Sequence, residues 1–435
     1  MILRASVAVL LLMPTTAFAQ GDPGPFGGLF GRTPERVGRD YRVFDVRTSA
    51  SALYEDSLLD RSLPVEQRLG STPLAGLNVS GVYSQQSTRL GLQVQSTANY
   101  SQYLQSPQVG GTTVGSSASA SYKAGTRLTL DGSLNHLYTP YFQYYRQLFS
   151  FLPTAGVIAP SSPYVATVTT SQTYEATGGF TSNYSKHSSF SGHLTWRETQ
   201  FEKSPTSDIE MRGGRAAWSR QMNRTFKLRL GYGREHIRHA YAIDQPVIYE
   251  FIDLGLDGNK SLSLTRRTTA SFSTEMSVVK QPITGRHYRL NGRASLHTWM
   301  SRSWRAGVSY SRLTEFLPGF TQPLFSDNVG GGLSGLFGTR TEFVASASAG
   351  KGVFGTDASV FDNGRFTIAS SSVQLNRALT RNFGVFGQYS FFYYRMPPAV
   401  APVAPTNRLS VQTFTVGLSA WFPVFTQEQT ARDSR

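Results

Sequence analysis

Along most of this chain, apolar and small polar residues alternate one for one. The clearest run is Phe414-Thr415-Val416-Gly417-Leu418-Ser419-Ala420-Trp421-Phe422, which ends on aromatic residues. A period of two marks an extended strand whose faces meet different surroundings, because successive side chains point to opposite sides of a sheet. The same alternation recurs in segments of roughly ten residues from about Tyr41 onward. Leu90, Leu92, Val94, Ser96, Ala98 and Tyr100 form one apolar set; Leu128, Leu130 and Leu134 another; Phe226, Leu228, Leu230 and Tyr232 a third. The residues between them, such as Gln93, Gln95, Thr97 and Asn99, or Asp131 and Ser133, are small or polar.

The connections are of two kinds. Some are very short and basic, as at Arg89, Lys186-His187, Asn223-Arg224, Arg266-Arg267, Ser301-Arg302 and Thr380-Arg381-Asn382. Others are longer, at about 140–170, 281–286, 316–325 and 397–407. Alternating short and long connections predict an up-and-down antiparallel sheet of 16–18 strands, with 18 preferred and both chain ends on the short-turn side.

Alternation alone fits both a soluble sandwich, polar face outward, and a membrane barrel, apolar face outward. What surrounds it decides. Arg4 is followed by an apolar run from Ala5 to Met13 and by Ala17-Phe18-Ala19 before Gln20, the layout of a cleaved secretory signal. No later stretch approaches the ~18 apolar residues of a membrane helix, and no amphipathic helical pattern follows residue 20. The expected organisation is a signal peptide over 1–19, a Gly/Pro-rich periplasmic lead over 20–39, an all-β transmembrane barrel over 40–422, and a polar periplasmic tail over 423–435. Bilayer hydrocarbon offers no water to unpaired backbone groups, so a sheet crosses it only as a closed barrel. Short turns then lie in the periplasm and long loops outside.

Charge narrows the partners. The net charge is +15, mostly from arginine. Nucleic acid is the usual partner of so basic a chain, but an exported chain meets little of it. Outer-membrane lipid and lipopolysaccharide, or an anionic solute, are expected instead. The absence of cysteine excludes a lipid-anchored N-terminus, disulfides and thiolate metal sites.

The last strand resembles the assembly signal of the outer-membrane β-barrel class: a polar residue, then Gly417, then Leu418 and further apolar positions ending at Phe422. That resemblance implies recognition by the barrel-assembly machinery through Gly417, Leu418 and Phe422. Pro423 and a polar tail follow, whereas such chains often end on the aromatic. The basic interior and strand number are also similar to general porins and alginate-type polysaccharide exporters, and no motif chooses between them.

Parity places Arg47, Arg127, Arg197, Lys227, Arg229, Arg289, Arg293 and Arg305 on the polar face, with Asp45, Asp131, Glu175, Asp253, Asp257 and Glu275. Rings of arginine select anions; equally, such side chains can pair across the wall and hydrate the lumen. Arg289, Arg293 and Arg305 form the most one-sided stripe. The third long loop carries Tyr144, Tyr145 and Arg146; it resembles the constriction loop of general porins, or is an ordinary surface loop. Trp218, Trp304 and Trp421 lie beside short turns, where an interfacial girdle belongs.

No catalytic set emerges. His236 and His239 fall on opposite faces of an extended strand, no G-x-S-x-G elbow occurs, and Gly330-Gly331-Gly332 lacks the lysine of a phosphate loop. No enzyme, metal or cofactor is expected. The leading reading is a channel for passive diffusion of small hydrophilic, preferably anionic, solutes. An export channel for a secreted polysaccharide, and a surface-display, adhesion or hydrolytic barrel, are the alternatives.

Overall fold

The computed structural model describes residues 40–59, 72–104, 110–140, 170–202, 208–239, 247–261, 267–281, 285–301, 303–316, 323–355, 364–395 and 408–429. The expected signal peptide and lead, the loop residues Tyr144, Tyr145 and Arg146, and residues 430–435 lie outside these. Eighteen strands follow in chain order. They are β1 (Asp40–Leu59), β2 (Thr72–Gln86), β3 (Leu90–Tyr103), β4 (Gly110–Lys123), β5 (Leu128–Thr139), β6 (Ser171–Ser182), β7 (Ser188–Phe201), β8 (Ile209–Gln221) and β9 (Phe226–His239). The second half comprises β10 (Val247–Ser261), β11 (Thr268–Gln281), β12 (Gly285–Trp299), β13 (Arg305–Glu315), β14 (Leu324–Phe337), β15 (Thr341–Phe354), β16 (Arg365–Ala378), β17 (Phe383–Arg395) and β18 (Arg408–Gln429).

Each strand pairs antiparallel with its chain neighbours, and β1 pairs with both β2 and β18, so the sheet closes into a barrel without an edge. The even strand count brings both ends of the barrel to one rim, with the short turns; the longer connections lie at the other. These are called the turn end and the loop end below. The sequence placed a loop at 281–286, but β11 runs to Gln281 and β12 starts at Gly285, whose φ of +82° turns the chain back.

The apolar sets face outward. Leu194 is 69% exposed and Leu254 63%, values for a surface that lipid covers. The inner face is small and polar, and it is knitted by cross-strand hydroxyl pairs: Ser346–Ser372 at 2.9 Å, Ser348–Ser370 at 2.7 Å and Ser271–Ser295 at 2.7 Å. Outward rings gather at the turn end. Trp304 packs edge-on to Phe337 at 5.0 Å, and the Trp218 indole donates to the Tyr184 hydroxyl.

The closing strand departs from expectation twice. It does not stop at Phe422: β18 runs through Pro423 to Gln429, and Thr426–Gln429 pair with Asp40–Val43 across an irregularity at Phe44/Asp45. Part of the expected tail is therefore barrel wall. Trp421 also points inward, opposite Arg47, because Phe422 takes the lipid parity and adjacent residues cannot share a face. Leu418 and Phe422 point outward, and Phe422 packs edge-on to Phe383 at 6.0 Å. Gly417 faces the lumen, where a Cβ would stand 2.5 Å from the Phe386 ring and 2.6 Å from the Ala50 carbonyl oxygen. Phe422→Ala is expected to lower the heat-modifiable, assembled fraction on gels, since it removes an aromatic pair of about 1 kcal/mol that ties the closing strand to β17. Truncation after Phe425 should also lower it, because four ladder pairs of the β1–β18 closing seam go with the segment.

Candidate lumenal site

Partners in register share a face, so the ladders assign every charged side chain. Arg197 on β7 stands opposite Glu175 on β6, and Lys227 on β9 opposite Asp257 on β10. Arg229, Arg289, Arg293 and Arg305 share the lumenal parity of β9, β12 and β13. Asp45, Asp131 and Glu275 are also lumenal.

Arg229 is held by the wall. Its Nε donates to both Asp253 carboxylate oxygens at 2.6–2.7 Å, Nη1 to Asp257 at 3.0 Å and Nη2 to the Thr274 carbonyl at 3.3 Å. The reason is local. β10 and β11 lose register between Ile252 and Gly258, which leaves the Thr274 carbonyl outside the ladder. Gly255 lets the guanidinium pass, since a Cβ there would stand 2.4 Å from that carbonyl oxygen and 2.9 Å from Nη2. Arg229→Gln is expected to destabilise the barrel by roughly 3 kcal/mol, because buried Asp253 loses its counter-charge. The urea midpoint of refolded protein checks it.

The inner face turns apolar towards the loop end, which parity alone did not reveal. Ile209, Ile237, Val247, Tyr249 and Val279, from β8 to β11, form one buried cluster with Phe316 and Phe325. Phe325 is the anomaly. It opposes Thr314 in the β13–β14 ladder, two residues beyond the pair Arg312/Asp327. Arg312 points outward and is exposed, so Thr314 and Phe325 have lipid parity. Yet the Thr314 hydroxyl donates to lumenal Asn291 at 3.1 Å and lies 3.3 Å from the hydroxyl of lumenal Ser277. Phe325 lies under the lumenal Arg289 guanidinium, whose carbon is 4.4 Å from the ring centroid.

Both facts require the loop end of the β13–β14 hairpin to fold inside the barrel and lay its lipid-parity face on the inner wall of β8–β12. The ladders agree. β11 pairs along the whole of β12 from Gly285, whereas β13 pairs with β12 only from Gly292/Arg312 to Trp299/Arg305. The segment Gly285–Asn291 therefore has no ladder partner on its β13 side. β15 follows the bend at Gly352, where a Cβ would stand 1.9 Å from the Phe325 carbonyl oxygen.

The infolded end carries Glu315 within electrostatic reach of both Arg293 on β12 and Arg197 on β7. Those strands are five inter-strand spacings apart, on the order of 25 Å along the wall at about 4.8 Å each; Glu315, half-buried on the infolded end, also has Glu275 of β11 near it. The Arg289, Arg293, Arg305 stripe is consequently less one-sided than expected. Arg293 faces Glu315, Arg289 caps Phe325, and Arg305 Nε donates to Ser334 at 2.6 Å. Parity also makes Glu235, Glu315 and Arg215 lumenal, although the sequence reading did not single them out; each has the odd numbering of its inward neighbours. Arg215 and Arg293 are exposed to the lumen, while every described lumenal carboxylate in Asp131, Glu175, Glu235, Asp253, Asp257, Glu275 and Glu315 is buried or half-buried. Among the described residues no group of three metal-ligating side chains occurs.

No family model matches the chain, and no curated protein does. Among solved structures, it is similar to OccAB3 of Acinetobacter baumannii at 11% identity and a TM-score of 0.43, over 87% of this chain and 99% of that one. It is similar to OccK11 (OpdR) of Pseudomonas aeruginosa at 10% and 0.44, over 89% and 98%, and to OccK7 (OpdD) of the same species at 9% and 0.44, over 88% and 99%. Closure through β1 and β18, an outward apolar band and a serine-lined, charged interior make this chain a membrane-spanning antiparallel β-barrel.

Proposed function

We propose that the chain is a passive outer-membrane channel for small hydrophilic solutes, with a preference for anions. The observation that carries this reading is the lumenal belt, in which exposed Arg215 and Arg293 stand among carboxylates that are covered or held by the wall. A solute there meets guanidinium groups more openly than carboxylates, so the belt attracts anions even where the charges nearly balance. Reconstitution in planar bilayers tests it. Stepwise conductance with an anion-selective reversal potential under a salt gradient is expected; no conductance at any voltage would sink the reading.

The infolded end of β13–β14 belongs to this function as its gate. Continuing the β12–β13 register past Gly292/Arg312 would set Leu290 against Thr314, Arg289 against Glu315 and Tyr288 against Phe316. These are an outward pair, a lumenal ion pair and an outward aromatic pair, so the unpartnered edge of β12 and the hairpin are patterned to complete each other. Swinging outward restores the wall, draws Glu315 back to the lumenal wall beside Arg289 and takes Phe325 out of the lumen.

A further inference from the structure

The lipid-facing surface divides into two sectors at the loop end. Outward tyrosines lie on the loop-end half of several strands, where interfacial aromatics belong. From β9 onward, the outward position two residues nearer the loop end is arginine: Tyr232 with Arg234, Tyr288 with Arg286, Tyr310 with Arg312, Tyr393 with Arg395. In β3 and β6 the same position holds Gln102 above Tyr100 and Gln172 above Tyr174. There the tyrosine hydroxyls donate to Gln102 and Gln172, each at 2.6 Å. Among the described strands β8–β18, all but β10 and β14 present an exposed outward arginine or lysine on their loop-end half; β1–β7 present none there. Glu210, Glu250 and Asp327 are the acidic members of the basic sector, and Glu210 and Asp327 hold Arg212 and Arg312.

Height alone does not require this. A bilayer excludes charge from its centre but tolerates either sign, or none, at the headgroups, and β1–β7 meet that condition without a basic residue, with Gln102, Gln172 and Glu198. A sector in which outward basic residues outnumber acidic ones, beside a sector with none, therefore indicates a partner of negative charge in the headgroup layer. We propose that the loop-end belt of β8–β18 binds the phosphate groups of the outer-leaflet glycolipid, and that β1–β7 stand outside this contact. The inference rests on the proposed orientation, with the loop end in the outer leaflet. Phosphate accepts charge-assisted hydrogen bonds from several guanidinium groups at once, and each surface cation near an anionic headgroup strengthens binding roughly fivefold.

The test uses the full mature chain refolded in detergent, with bisphosphorylated lipid A and its dephosphorylated form as probes, read by native mass spectrometry. Wild type should retain the bisphosphorylated form at least tenfold better. Replacing Arg234, Arg286, Arg312 and Arg395 with glutamine should abolish that preference, while Arg42→Gln, Arg220→Gln and Arg377→Gln together, at the turn end, should leave it. A Gln102→Arg/Gln172→Arg variant should extend binding into β1–β7, which keeps the test alive if the fourfold variant fails to assemble. Equal retention of the two lipids by wild type, equal loss in the turn-end variant, or no gain from the grafted arginines would overturn the proposal. Failure of wild type to insert into bilayers would instead overturn the membrane reading beneath it.

Discussion

Oxidising a Ser277→Cys/Thr314→Cys variant should hold the channel at low conductance, and reduction should raise it several-fold. The two hydroxyls lie 3.3 Å apart, so cysteines there can bridge without moving the strands, and the chain has no other cysteine to compete. The bridge fixes the loop end of β13 against the inner wall of β11, with Glu315 within electrostatic reach of Arg293 and Arg197. The companion variant, Leu290→Cys/Thr314→Cys, tests the other position. Those residues become opposed only when β13 completes the β12 ladder, so bridging there should lock the channel open, with steady high conductance and no closures. In the infolded position Thr314 lies on the lumenal side and the exposed Leu290 on the lipid side of the wall. Failure of the Leu290–Thr314 bridge to form under oxidation, or unchanged conductance in the Ser277–Thr314 bridge, would show that the hairpin does not move between these positions.

The second large effect concerns selectivity. Arg215→Gln/Arg293→Gln should move the reversal potential towards cations, and Glu315→Gln should move it towards anions. Guanidinium groups exposed to the lumen attract anions over about a Debye length, near 8 Å at physiological salt. Removing two of them while the carboxylates stay leaves the belt net negative. Glu315 opposes Arg293 and Arg197, so its neutralisation unmasks them. Arg305→Gln is the control: its Nε is committed to Ser334, and its effect should be smaller than that of Arg293→Gln. An unchanged potential in a correctly folded double variant would remove these residues from selectivity, and with them the anion preference.

Strand number, the two faces, the up-and-down order and the rim at which the first strand starts and the last one ends were legible in the sequence. Each rests on a local rule: period two separates the faces, and short against long connections orders the strands. The inward placement of Arg197, Lys227, Arg229, Arg289, Arg293 and Arg305 follows from the same parity. What those side chains do was not legible. Arg229 is a staple because β10 and β11 slip register beside Gly255, a relation between strands that neither one's pattern carries.

The fold of β13–β14 into the lumen is the clearest case of tertiary decision. Thr314 and Phe325 have the numbering of lipid-facing residues, and in an unbroken wall that is where they would point. They face inward because Val279, Tyr249 and Ile237 offer an apolar lumenal surface that Phe325 and Phe316 can bury, and because Asn291 and Ser277 bind the Thr314 hydroxyl. Those partners lie on strands tens of residues away, so no window along the chain contains both sides of the contact. Alternation therefore determined the barrel and the face of each residue within its strand; long-range burial alone decided where the wall leaves its cylinder and enters the pore.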